Sequence, residues 1–295
     1  MRVGIVDVGS NTIRLLVADI DGSAVTPVET GREHLGLGAE IADAGALRRK
    51  TILATARAAG RFAARAHELG ARRARVIVTA PGRQGRSSLE LVAALRESTR
   101  LPVDVLTSAD EGRFAFDGAV ARLEEPEVRA GVVDVGGGST EIAVGPGTGG
   151  ATWLHSIDLG SLRLTRLALP NDPPSGRELA VARRTAAAAL EELRPPRPAV
   201  ALAAGGSARA VAKLVGRTFD ADDAAAAVAI LAGRRSGKVA RSVGIDPHRA
   251  GTVLAGALLL GEASRALRRP LRLARGGLRE GAALALAAER TAAAA

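Results

Sequence analysis

The chain has 295 residues, 47% of them hydrophobic, and its 41 Lys and Arg against 31 Asp and Glu leave a formal net charge of +10. With no cysteine there is no disulfide framework, thiolate metal site or cysteine nucleophile, and four scattered histidines (His34, His67, His155, His248) argue against a His-rich transition-metal centre. An aromatic content of 2%, with no tyrosine, is thin for base stacking or a membrane-interface belt. The basic residues are almost all arginine, Lys50, Lys213 and Lys238 being the lysines. With the abundant alanine this reads as genomic composition, though an Arg-rich surface still attracts polyanions.

Val3–Asp7 is an apolar run ending in an acid, the pattern of a strand buried on both faces. The start is not the basic-then-apolar pattern of a secretory signal, so a cytoplasmic protein is expected. Thr12–Ile20 returns after a DVGSNT turn to form a hairpin, and Glu29–Gly38 reads as a third strand and its exit. Leu47–Leu69 is an Ala-rich helix with Arg on its outer face. Arg75–Thr79 follows as a strand, Ser87–Glu97 as a helix and Val103–Leu106 as a short strand. Ala109–Leu123 is a helix with Ser108 as its expected N-cap.

The opening theme then repeats. Gly131–Asp134 is another apolar strand ending in Asp, followed by VGGGSTE and a returning strand at Ile142–Val144. Strand, Asp, Val, Gly, small-residue turn, Ser or Thr, and strand again is one grammar used twice, which points to a duplication. Thr152–Ile157 and Leu162–Leu167 read as strands, and Arg177–Leu193 as a helix closed by a rigid PPRP. Val200–Ala203 is a strand entering a third glycine turn that opens a helix at Ser207–Val215. Helices are expected at Ala221–Ala232, Arg235–Val243 and His248–Leu267, then a strand at Leu271–Ala274, GGLREG and a last helix whose TAAAA end frays. The AGTVLAGALLLG stretch is too short to span a bilayer, so no membrane association is expected. The pattern is an α/β protein in two halves, 1–124 and 125–295, each a phosphate-binding lobe, with the ligand in a cleft between them.

Three turns, Gly9–Thr12, Gly136–Thr140 and Gly205–Ser207, each follow an apolar strand. Glycine there lets backbone amides converge on phosphate oxygens, and Ser10, Asn11, Ser139 and Thr140 add side-chain donors. Asp7 and Asp134 end buried strands, where a carboxylate needs hydrogen bonds or a cation, and Glu141 opens the return strand after the second turn. Oxygen ligands without Cys or clustered His suit Mg²⁺ or Mn²⁺ bridging carboxylate and phosphate. The bland alternative, an Asp accepting hydrogen bonds from its own turn, stands beside this reading.

DVGSNTIRLLV and VVDVGGGSTEIAVG resemble the two phosphate motifs of the exopolyphosphatase / guanosine pentaphosphate phosphohydrolase (Ppx/GppA) family. DLGSLRLT, AAGGSARAVAKL, RAGTVLAGALLL and GGLREG resemble its further motifs, so the likeness runs over nearly the whole chain. The resemblance implies two ribonuclease-H-like lobes of the actin, sugar-kinase and heat-shock-chaperone ATPase superfamily. It implies Glu111 as general base, Asp7, Asp134 and Glu141 on the divalent cation, and Arg83 facing the phosphates. Phosphate oxygens would be held by Gly9, Ser10, Asn11, Thr12, Arg14, Gly136, Gly137, Gly138, Ser139, Thr140, Gly205, Gly206 and Ser207, with Arg279 a further candidate. Departures from the family pattern are Thr107–Asp110 before Glu111, Pro81-Gly82 before Arg83, and Gly251. The likeness is to short, two-domain members, whereas longer ones add a C-terminal helical domain.

The implied activity is release of orthophosphate from inorganic polyphosphate. Hydrolysis of guanosine pentaphosphate (a link to the stringent response) or a nucleoside triphosphate is the alternative, and a non-catalytic polyphosphate or alarmone sensor the reading of a different class. The lack of an aromatic shelf for guanine favours the polymer. A sugar kinase is disfavoured by Asn11 and Arg14, and nucleic-acid binding by the dispersed charge. A homodimer is expected from the resemblance.

Overall fold

The computed structural model describes residues 1–125 and 127–292. Contacts divide the chain into two compact units, Met1–Arg122 with Leu278–Ala295, and Leu123–Gly277. The boundary thus falls two residues before the expected one, and the last helix groups with the first unit.

The first unit opens with β1 (Arg2–Val8), β2 (Thr12–Asp21), β3 (Ala24–His34), α1 (Leu37–Ala44) and α2 (Arg49–Glu68). It continues with β4 (Arg73–Val78), α3 (Ala80–Gln84), α4 (Ser88–Thr99), β5 (Val103–Val105) and α5 (Ser108–Val120). The sheet order is β3-β2-β1-β4-β5, with β1/β2 and β2/β3 antiparallel and β1/β4 and β4/β5 parallel. Alternate residues face opposite ways. Val6, Val8, Ile13, Leu15 and Val17 pack with α2 and α4, whereas Val3, Ile5, Leu16, Ala18 and Ile77 form a second core with Phe114 and the last helix.

The second unit holds β6 (Arg129–Val135), β7 (Thr140–Pro146), β8 (Trp153–Ile157), α6 (Ser161–Ala168), α7 (Gly176–Leu190), β9 (Val200–Ala204) and α8 (Gly205–Val215). It ends with β10 (Thr218–Phe219), α9 (Ala221–Ala232), α10 (Ser236–Val243), a 3-10 turn (Pro247–Thr252), α11 (Val253–Leu267) and β11 (Leu271–Leu273). Its sheet runs β10-β11-β9-β6-β7-β8. Read from β8 to β11, order and strand sense repeat those of the first sheet, the β1–β2 and β6–β7 hairpins corresponding. These are two ribonuclease-H-like copies, as the repeated turn grammar predicts.

The chain then returns to the first unit as α12 (Leu278–Ala292), whose Ala282, Ala283 and Leu286 complete the second core. Arg73 donates to the Leu286 carbonyl at 2.9 Å, and both Arg73 and Arg75 bond Glu289, whose carboxyl Arg75 holds below its ordinary range. The TAAAA end covers residues 291–295, of which 293–295 lie outside the described residues. Among the described residues no helix is long and apolar enough to cross a membrane.

The structure corrects several element assignments. Leu162–Leu167 lies in helix α6, not a strand, because Ser161, Leu164 and Ala168 are its buried positions, a spacing of three and four that the Leu-x-Leu alternation mimics. Residues read as the exit of the third strand form α1, and β3 itself begins at Ala24. The cap of α5 is Thr107, one residue before Ser108. Its hydroxyl accepts from the Asp110 amide at 3.1 Å while Asp110 accepts from the Thr107 amide, a reciprocal capping box. The stretch before α11 is a separate 3-10 turn.

Glu40 anchors α1 to the start of α2, accepting from the Arg48 guanidinium at 2.9 Å and the Thr51 hydroxyl at 2.7 Å. The Arg48 side chain first, with help from the Arg48 amide and Thr51, lowers the Glu40 carboxyl to about 2. Its folded pKa lies below the unfolded value near 4.5, so its contribution is complete above that value and is lost as pH falls toward 2. Arg48 is largely exposed, so the contribution is about 1 kcal/mol or less. Replacing Glu40 by Gln should flatten this acid limb, read by urea unfolding from pH 7 down to 2.5, while leaving the alkaline side unchanged.

Candidate functional site

In the first unit, β1 ends with Asp7, which is 7% exposed, and the Gly9–Thr12 turn follows. The Gly9 amide donates to the Thr12 carbonyl at 3.0 Å, so this glycine closes the turn and does not present its own N–H. The amides of Leu35 and Gly36 donate to the Asn11 carbonyl, and that of Gly38 to the Ser10 carbonyl, at 2.6–3.1 Å. The start of α1 therefore holds both turn carbonyls. A trans peptide sets its C=O and N–H on opposite sides, so holding the Ser10 carbonyl turns the Asn11 amide outward.

The second unit repeats the device. Gly136 donates to the Ser139 carbonyl at 3.0 Å, closing the second turn. The first amides of α6 hold that turn's carbonyls: Ser161 donates to Gly136, and Leu162 and Arg163 to Gly137, at 2.9–3.1 Å. The Gly137 and Gly138 amides face away from α6 and make no backbone hydrogen bond among the described residues. Gly160 makes this approach possible, since a Cβ there would lie 2.5 Å from the Gly137 carbonyl carbon and oxygen. This role explains DLGSLRLT, which its sequence pattern alone leaves as one more strand.

Glu111 occupies the first turn of α5 and is 8% exposed, where the helix dipole favours its anionic form. Arg83 Nη1 donates both to Glu111 Oε1 and to the Leu106 carbonyl. Arg83 comes from α3, whose Gly82 packs against Val105 and Val78: a Cβ at Gly82 would lie 2.8 Å from Val105 Cγ1. The Pro81-Gly82 departure thus lets α3 sit close on β4 and β5. Asp110, one residue before Glu111, is held low by the Thr107 hydroxyl, the Thr107 amide and Arg113.

Asp134 and Glu141 are direct cross-strand partners in the β6–β7 hairpin, an arrangement that costs energy for two anions. Glu141 is 4% exposed and accepts from Ser156 Oγ at 2.9 Å. The Asp134 carboxylate lies against Gly205, where any Cβ would collide with its Oδ1, and Gly205 has φ +81. Two facing carboxylates at a turn of outward amides fit a hard divalent cation whose other ligands come from phosphate and water. Among the described residues no cluster of three His, Asp or Glu forms a closed metal cage.

Helix α8 starts at Gly205 without a side-chain cap. The guanidinium of Arg249 sits directly over Gly206, whose missing side chain leaves room for it. Arg249 was not legible as a site residue, because the approach depends on the 3-10 turn that presents it and no local motif marks it. Two anticipated donors have interior roles: Thr140 Oγ1 donates to the Leu159 carbonyl at 2.7 Å and Ser207 Oγ to the Val135 carbonyl at 2.8 Å. Thr12 Oγ1 accepts from Arg14 Nε at 3.1 Å, drawing Arg14 toward the first turn, and Arg279 Nη1 donates to the Leu15 carbonyl at 3.1 Å. Ser10 and Ser139 are buried within their turns.

The family model described as the Ppx/GppA phosphatase family matches residues 16–289. Exopolyphosphatase 1 of Mycobacterium leprae is 28% identical over 284 residues, covering 90% of this chain and 84% of the relative. Exopolyphosphatase 2 of Mycobacterium tuberculosis is 34% identical over 200 residues, 64% of this chain and 62% of that one. The crystal structure of the Aquifex aeolicus Ppx/GppA family member superposes with a TM-score of 0.84 at 23% identity, covering 98% of each chain, a likeness of fold.

Replacing Gly160 by Ala should push α6 off the second turn. The expected result is a loss of about 1–3 kcal/mol in stability from overpacking, with a greater than ten-fold weakening of pyrophosphate binding by calorimetry. The same substitution at the solvent-facing Gly176, where a Cβ meets nothing within 4 Å, should change neither.

Proposed function

Because the chain belongs to the Ppx/GppA phosphatase family, we propose that it is a divalent-cation-dependent exopolyphosphatase that removes the terminal orthophosphate of inorganic polyphosphate. The observation that carries the reading is the buried Glu111 held by Arg83 at the start of α5. A carboxylate pinned by a guanidinium stays ionised and oriented, as a base for water requires. The relatives named exopolyphosphatases, and the absence of tyrosine and scarcity of other aromatics to shelve a guanine, favour the polymer.

Glu111 orients a water and takes its proton as the water oxygen bonds to the terminal phosphorus. The bridging P–O bond breaks, and the shortened chain leaves with the bridging oxygen. Arg83, fixed by the Leu106 carbonyl, positions Glu111 and offers its remaining N–H groups to the equatorial oxygens of the phosphoryl group. The outward amides of Asn11, Gly137 and Gly138 donate to phosphate oxygens, and Arg249 adds a cation over the start of α8. Asp134 and Glu141, with Asp7 from the first turn, would hold Mg²⁺ or Mn²⁺, which when bound offsets charge on the phosphate oxygens.

Phosphate release from long polyphosphate, tripolyphosphate, guanosine pentaphosphate and GTP, each with Mg²⁺ or Mn²⁺, tests the reading. Long polyphosphate should have the highest kcat/KM, and Glu111→Gln should lower kcat by about 10²–10⁴-fold while polyphosphate still binds. A pentaphosphate preference, or no turnover by the wild type with either cation, overturns it.

A further inference from the structure

The cross-strand register places a row of charged side chains at the turn end of the first sheet. Asp7 on β1 stands directly opposite Arg14 on β2, and Arg14 stands directly opposite Arg32 on β3. Directly paired residues share a face, so all three lie on the face that carries Val3, Ile5 and Leu16 and packs against Phe114 and α12. Arg279, at the start of α12, reaches the same strand through its bond to the Leu15 carbonyl. His34, paired with Thr12, continues this face one step nearer the turn.

Two arginines directly opposed on neighbouring strands repel, and a sheet selected for stability alone would not place them so. The opposite face of the same strand shows the ordinary solution: Glu29 pairs with Arg65 at 2.7 Å and Glu33 with Arg61 at 2.6 Å. That face is also where β3 is fixed, because a Cβ at Gly31 would come within 2.9 Å of Phe62 on α2. Arg32 is thus an exposed cation on a well-seated edge strand, beside the half-buried Arg14.

The row also has a direction. Arg83 and Glu111 belong to segments following β4 and β5, at one side of the sheet order, and β3 is its opposite edge. From Asp7, two strand spacings of about 4.8 Å lead through Arg14 to Arg32, a path of about 10 Å. We infer that Arg32, with Arg14 and Arg279, binds the phosphates behind the terminal one, so that the polyphosphate tail leaves the Glu111 side across β1 and β2 and over the β3 edge. This inference rests on the exopolyphosphatase reading. A linear polyanion neutralises the opposed guanidiniums, and each phosphate seated there adds a charge-assisted contact that a short substrate lacks.

The test compares Arg32→Ala, Arg32→Glu and Arg32→Lys with Arg61→Gln, which removes a charge from the opposite face. Turnover is measured on tripolyphosphate and on long polyphosphate from 50 to 300 mM salt. Equilibrium dialysis of radiolabelled long polyphosphate supplies a readout independent of turnover. Arg32→Ala should raise KM for the long chain by about ten-fold, Arg32→Glu by more, and Arg32→Lys by less, with kcat within two-fold and tripolyphosphate little affected. The salt dependence of binding should weaken for Arg32→Ala and not for Arg61→Gln. Long-chain KM, affinity and salt dependence all unchanged in Arg32→Ala and Arg32→Glu would overturn the inference. So would equal losses on both chain lengths, or losses matched by Arg61→Gln. A wild type that turns over no polyphosphate defeats the activity reading instead, and the dialysis series then decides whether Arg32 binds the chain.

Discussion

A peptide unit cannot direct its carbonyl and its amide to the same side, and the architecture of this chain is arranged around that fact. In each unit the glycine turn has its carbonyls gripped from behind by the first amides of a short helix, α1 in one and α6 in the other. Anion-binding amides are usually credited to the glycines that carry them. Here the orientation comes from the helix start behind the turn, and small residues supply the room. The grip also satisfies donors that α6 would otherwise leave open, since neither α1 nor α6 has a side-chain cap.

Those two helices are also what sequence reading missed. Strand, acid, turn and returning strand were legible in both halves, because burial on both faces writes a continuous apolar run and an acid at its end interrupts it conspicuously. The strand order followed, and with it the ribonuclease-H-like copies. An eight-residue helix offers too few turns to separate a period of 3.6 from a period of 2, and Leu162, Leu164 and Leu167 satisfy either. Comparing the halves resolves the ambiguity, since α1 and α6 follow equivalent strands and do the same work.

The candidate site was legible to the extent that residues announce themselves locally. The turn residues, Asp134 and Glu141 lie in recognisable strings, and the β6–β7 register makes the two acids neighbours. Contacts between distant segments left no such mark. Gly206 reads as part of a turn, and only the fold shows that its bareness admits Arg249 from a segment some forty residues later. Gly82 reads as a departure from pattern, and its packing against Val105 and Val78 shows a choice that seats the arginine holding Glu111. The hydroxyls of Thr140 and Ser207 mislead in the opposite sense, since they serve interior carbonyls.

The return of α12 to the first unit makes the second unit an uninterrupted insert in a discontinuous host. During synthesis, every strand of Leu123–Gly277 is available before the host has its last helix. The host meanwhile exposes the sheet face formed by Val3, Ile5, Leu16 and Ala18, which α12 covers with Ala282, Ala283 and Leu286. The same face carries Asp7 and Arg14 at its turn end, so the seat for phosphate is finished late. Translation therefore orders the maturation of the two duplicated halves: the younger half in the chain can complete its core first, and the older one waits for the final segment to arrive.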